Sequence, residues 1–152
     1  MALKIGDVAP DFDLPTDGGG RVRLSDLAGK PVVVYFYPKD DTSGCTKEAQ
    51  EFTALMPEFA ARGVRVIGIS PDGVAAHDRF RAKYDLAVTL AADPDKSVLE
   101  AWGVWVEKSM YGRSYMGVER TTVLVGADGK VAAVWPKVKV AGHAAAVLKA
   151  LG

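Results

Sequence analysis

The chain has 152 residues, one cysteine, and Lys+Arg and Asp+Glu each numbering 19. That length suits a single domain over residues 1–152, able to bury about 70% of its unfolded surface without disulfides or metals. The balanced charge offers no field for nucleic acid or an anionic membrane, no signal-peptide core opens the chain and the apolar runs are strand-sized, so a soluble cytoplasmic protein is expected.

From the N-terminus, Asp11-Phe12-Asp13-Leu14 and Arg21-Val22-Arg23-Leu24 alternate polar and apolar residues around Asp17-Gly18-Gly19-Gly20, the pattern of a β-hairpin. Ser25-Asp26-Leu27 reads as a short helical turn closed by Gly29. The run PVVVYFY at 31–37 is apolar without alternation, as a central strand buried on both faces requires. A helix is expected over 42–62, stopped by Gly63, with Phe52, Leu55, Met56 and Phe59 as its apolar stripe and a kink at Pro57. VRVIGIS at 64–70 predicts a second central strand, and 73–84 a helix capped by Asp72. A short strand at 88–91 and a short helix at 97–102 follow, the latter after the Asp93-Pro94 turn. Residues 103–119 show the least regular pattern. Strands over 121–125 and 130–135 flank the turn Ala127-Asp128-Gly129-Lys130, and an Ala-rich helix over 142–151 closes the chain. This order predicts an α/β fold, a mixed sheet with helices on both faces.

The lone cysteine, Cys45, follows the central strand and opens the helix after it. A helix start aims its free N–H groups and the positive end of its dipole at the first turn, which favours the thiolate, the nucleophilic form. The first-turn N–H groups of Gly44 and Cys45 are candidate donors to an oxygen that becomes anionic. A lone cysteine is ordinarily a small buried hydrophobe; the strand–helix junction, Gly44 and Thr42 argue against that reading here. Other signals carry less. Asp40-Asp41 reads as a solvated turn rather than a metal site, since only two distant histidines accompany it. His77 and His143 read as ordinary polar residues on helices. Trp102, Trp105, Tyr111, Tyr115 and Met116 read as core and loop packing, with an apolar entrance to Cys45 as their second reading.

The spacing Pro38-xxx-Thr42-xx-Cys45, within YFYPKDDTSGCTKEAQEF at 35–52, resembles the active-site motif of the peroxiredoxins, the thiol-dependent peroxidases. LSDLAGKPVVVYFY, VIGISPD, DPDKSVLEAWGVW, EKSMYGRSYMGVERTTVLVGADGKV and WPKVKVAGHAAAVLKAL extend the similarity over nearly the whole chain, toward the Q-type group, also called the bacterioferritin comigratory proteins. The resemblance implies a thioredoxin-like fold with a central mixed sheet and an N-terminal hairpin. It also implies reduction of hydrogen peroxide and organic hydroperoxides to water or alcohols through a Cys45 sulfenic acid, with no cofactor and no metal. Thr42 would bridge the sulfur and a peroxide oxygen, with its plain N-cap role beside that one, and Pro38 would shield the thiolate from water. Arg120 matches the arginine that pairs with the thiolate in the family; spacing alone does not select it among 19 Lys and Arg residues.

Two positions depart from the family pattern. Ser43 stands where proline is usual. Gln50 stands five residues after Cys45, where many Q-type members carry a resolving cysteine, and the chain has no other cysteine. The cycle is therefore expected to need an external thiol such as thioredoxin, glutaredoxin or glutathione, and the Q-type resemblance leans toward a monomer. Alternatives stay open: a non-catalytic peroxide sensor signalling through Cys45 oxidation, a purely structural thioredoxin-like domain, or a trapped resolving-cysteine variant of a two-cysteine enzyme. A dithiol oxidoreductase is disfavoured because Thr42 occupies the first position of Cys-x-x-Cys.

Overall fold

The computed structural model describes residues 3–151. The chain begins with the expected hairpin, β1 (Asp13–Pro15) antiparallel to β2 (Arg21–Arg23). The short helical turn Leu24–Leu27 follows, with Gly29 in the left-handed region. Next come β3 (Val32–Phe36), α1 (Ser43–Ala61), β4 (Arg65–Ser70), α2 (Val74–Tyr84), β5 (Thr89–Ala92) and α3 (Ser97–Ala101). The last part holds β6 (Trp105–Met110), β7 (Arg113–Val118), β8 (Thr121–Val125), β9 (Val131–Trp135) and α4 (His143–Ala150).

Five strands form the central sheet in the order β5-β4-β3-β8-β9. β4 runs parallel to β3 on one side and β8 antiparallel on the other, which makes the sheet mixed. Every residue of β3 is at most 2% exposed, as its unalternated apolar run requires of a middle strand. Side chains of a strand point alternately to opposite faces, and the two cores follow that alternation. Val33 and Tyr35 pack with Phe52 and Phe59 of α1, Phe80 of α2 and Val147 of α4. Val32, Val34 and Phe36 pack with Phe12, Leu14, Leu24 and with Val98, Leu99 and Trp102 around α3. The helical cover is unequal: the long helices share one face, and the N-terminal hairpin and short α3 cover the other.

Two local expectations change. Asp72 does not cap α2, whose N-cap is Gly73 without a side-chain bond; its carboxylate instead accepts from the Asp40 N–H and the Ser70 hydroxyl, each at 2.8 Å. As expected, Pro57 falls inside α1. Residues 103–119, expected to be irregular, form the ribbon β6–β7 with continuous antiparallel pairing from Trp105↔Val118 to Met110↔Arg113. Its two-residue loop, Tyr111-Gly112, has φ of 53° and 76°. Positive φ at both central residues is the I′ turn, which suits strand twist; a tyrosine at its first position hides that signal in the sequence.

Candidate active site

β3 leads through Tyr37 and Pro38 into a loop, and the loop ends at Thr42, the N-cap of α1. The first internal bond of the helix runs from the Thr46 N–H to the Thr42 carbonyl at 2.8 Å. The N–H groups of Ser43, Gly44 and Cys45 therefore precede any intrahelical acceptor, as at every helix start. Cys45 lies in this turn and is 1% exposed. Arg120, between β7 and β8, donates from Nη2 to the Cys45 sulfur at 3.2 Å and from Nη1 to Glu48 Oε1 at 2.7 Å. Register explains the meeting: β8 pairs antiparallel with β3 so that Thr121 faces Phe36, which sets the residue before Thr121 at the sheet end where the Cys45 loop begins.

The sequence-derived residues are thus placed as follows. Cys45 and Arg120 are in contact, and Gly44 lies against the same guanidinium: a Cβ on it would sit 3.3 Å from Arg120 Nη2, so its lack of a side chain admits the arginine. Thr42 holds the N-cap position but does not cap; its hydroxyl donates to the Lys39 carbonyl at 2.8 Å, leaving the oxygen lone pairs as what it offers. Pro38 is half-buried at the exit of β3.

Glu48 is a site residue that the sequence reading missed. It is 1% exposed, bonded to Arg120 through Oε1, while Oε2 has no partner. Burial pushes its carboxyl up to about 7, against the pull of Arg120. The available signal was helical spacing: Glu48 lies three residues after Cys45 and shares the inward face with Ala49 and Phe52. A carboxylate on such a face needs a buried cation, and Arg120 is that cation.

Both histidines depart from the reading as ordinary polar helix residues, since both are buried. His143, at the start of α4, shares a 2.7 Å hydrogen bond between its Nε2 and the Thr122 hydroxyl. Burial, and then the Arg120 charge, lower its pKa to about 4, so it is neutral at pH 7. His77 pairs with Asp40, itself buried. The expectation of a solvated turn therefore fails for Asp40 and holds for Asp41, which is exposed and accepts from Lys83 Nζ at 2.8 Å and from the Tyr84 hydroxyl at 2.6 Å. Among the described residues no group of three or more His, Cys, Asp or Glu side chains could hold a metal, and no helix is long and apolar enough to cross a membrane. Trp102 belongs to the core at 1% exposed, whereas Tyr111, Tyr115 and Met116 are exposed on the β6–β7 ribbon.

The family model described as AhpC/TSA matches residues 5–134. The chain is 51% identical to a putative peroxiredoxin bcp of Coxiella burnetii, over 97% of this chain and 98% of that protein. It is 48% identical to the peroxiredoxin Bcp of Xanthomonas campestris pv. campestris, over 94% and 91% of the two. Among solved structures, the bacterioferritin comigratory protein of Xanthomonas campestris, studied for alkyl peroxide reduction in trapped intermediate and ligand complexes, superposes with a TM-score of 0.90. That pair shares 45% identity over 98% of this chain and 95% of the other.

Proposed function

Because the chain belongs to the AhpC/TSA family, and like its Bcp relatives is a peroxiredoxin, a thiol-dependent peroxidase, we propose that Cys45 is its reacting sulfur and that the cycle uses one cysteine. The sulfur attacks the terminal oxygen of ROOH; an S–O bond forms, the O–O bond breaks, and the leaving RO⁻ takes a proton. Sulfur is oxidised to Cys45 sulfenic acid and the peroxide is reduced to ROH. One external thiol then condenses with the sulfenic acid, releasing water, and a second thiol displaces Cys45 from the mixed disulfide.

The observation that carries this reading is the 3.2 Å contact between Arg120 Nη2 and the Cys45 sulfur at the start of α1. A guanidinium on that side and first-turn N–H groups on the other offer preorganised positive charge to a thiolate and to the oxygen that leaves. Burial of the sulfur strengthens these interactions by removing competing water. Gly44 admits the guanidinium, Thr42 offers hydroxyl lone pairs to a peroxide O–H, and Pro38 closes the loop side without adding a backbone donor.

Gln50 is exposed on α1, and the chain holds no second cysteine. The reductant is therefore an external thiol of the thioredoxin, glutaredoxin or glutathione class, and the protein acts as a cytoplasmic monomer. The alkyl peroxide activity studied in the Xanthomonas protein supports organic hydroperoxides beside hydrogen peroxide as substrates.

Stopped-flow mixing of the reduced protein with hydrogen peroxide and with an alkyl hydroperoxide tests the scheme. Reaction far faster than free cysteine is expected, with Arg120→Ala slower by about 100-fold, the scale of losing one preorganised donor. Without added thiol, fast consumption should stop at one equivalent with Cys45 carrying one oxygen by mass spectrometry, each further oxygen costing a further equivalent of peroxide. Continuous turnover without reductant would refute the cycle.

A further inference from the structure

The loop between β3 and α1 is bolted to the body of the protein by a buried Asp–His hydrogen bond that the reaction scheme does not use. The Asp40 side chain is 6% exposed and that of His77 is 0% exposed, and Oδ2 of the first lies 2.6 Å from Nδ1 of the second. The Tyr37 hydroxyl donates to Asp40 Oδ1 at 2.5 Å, and the Asp40 N–H donates to Asp72 at 2.8 Å. His77 Nε2 lies 3.0 Å from the Ala91 carbonyl of β5, which can only accept, so that nitrogen carries a proton. Its other nitrogen faces Asp40 Oδ2, the carboxyl oxygen not used by Tyr37, and at 2.6 Å the two share a proton.

We propose that Asp40 and His77 are positioning residues for peroxide reduction, holding loop 38–42 and hence the first turn of α1 in the register that aligns Cys45 with Arg120 and the first-turn N–H groups. The proposal rests on Cys45 being the reacting sulfur. Its physical basis is the chain distance: Asp40 lies two residues before the N-cap Thr42, so any rotation of Asp40 is passed directly into the helix start. The residue between them, Asp41, has φ of 60°, a left-handed conformation that needs support from its surroundings. Through His77 the loop is tied to α2 and β5 together, and through Asp72 to the end of β4. A misplacement of about 1 Å at reacting atoms costs rate on the order of 100-fold.

Peroxide reduction and alkylation separate positioning from general destabilisation. Iodoacetamide needs only an accessible thiolate, whereas peroxide also needs the aligned donors. In Asp40→Asn and His77→Asn, shown folded by circular dichroism, the stopped-flow rate with hydrogen peroxide should fall about 10- to 100-fold while alkylation of Cys45 quickens, because a freed loop uncovers the sulfur. In the wild-type protein, ¹⁵N NMR should show Nε2 of His77 protonated and Nδ1 in a strong hydrogen bond at pH 7, a readout that needs no variant to fold. A His77 whose Nδ1 shows no hydrogen bond at pH 7, folded variants with wild-type peroxide rates, or peroxide and alkylation rates that fall together would each overturn the positioning role. A wild-type peroxide rate no greater than that of free cysteine would instead overturn the assignment of Cys45.

Discussion

Glu48 and Cys45 compete for the same guanidinium, at 2.7 Å and 3.2 Å from its two terminal nitrogens. An ionised Glu48 draws the positive charge away from the sulfur; a protonated one leaves it there. The sign of its effect on stability follows from burial. Its folded pKa is raised from 4.5 to about 7, so the unfolded chain loses this proton first and the contribution to stability is complete below about 4.5. It is lost as pH rises through about 7. Thermal melts of wild type and Glu48→Gln should therefore diverge with rising pH, wild type losing Tm relative to the variant between about pH 4.5 and pH 8. Parallel curves would place the proton elsewhere. The sequence shows Glu48 on the Cys45 face of α1, but the burial of that face is marked only further along, at Phe52, because Cys45 and Ala49 are small and Glu48 itself is charged.

At the scale of elements, β3 and β4 are packed so closely that one glycine decides the contact. A Cβ on Gly68 of β4 would lie 2.7 Å from both Cζ and the hydroxyl of Tyr35. Tyr35 cannot move aside: it is 1% exposed, with ring centroids 4.8 Å from Phe52 and 5.6 Å from Tyr37. Gly68→Ala should cost about 1–3 kcal/mol by overpacking, read as a lower urea midpoint with unchanged slope. A change under about 0.5 kcal/mol, the size of a surface substitution, would show that the ring does yield. Tyr35, Tyr37 and Cys45 belong to the same buried core, so this packing also supports the site. The strand GIS within VRVIGIS was legible as a central strand; its glycine reads as a mere weakness until the neighbouring ring is seen.

Over the whole molecule, the groups described around the sulfur are brought together within a single chain: Gly44, Cys45 and Glu48 from α1, and Arg120 from the connection before β8. The site needs no second copy for these groups. Size-exclusion chromatography with light scattering should accordingly give a mass near 16.1 kDa in the reduced protein. A stable species of twice that mass would point to the exposed Met110, Tyr111 and Tyr115 of the β6–β7 ribbon as an interface. The order of elements apart from the β6–β7 ribbon, the central position of β3, the hairpins at both ends and the location of Cys45 at a strand–helix junction were all determined by the sequence. Those features depend on neighbours a few residues apart, which periodicity, turn residues and glycines report directly. The Arg120–Cys45 and Arg120–Glu48 contacts span 75 and 72 residues, and Asp40–His77 spans 37. Only the tertiary structure decided these, because strand order and register, rather than any local pattern, select which distant side chains arrive at the same end of a sheet.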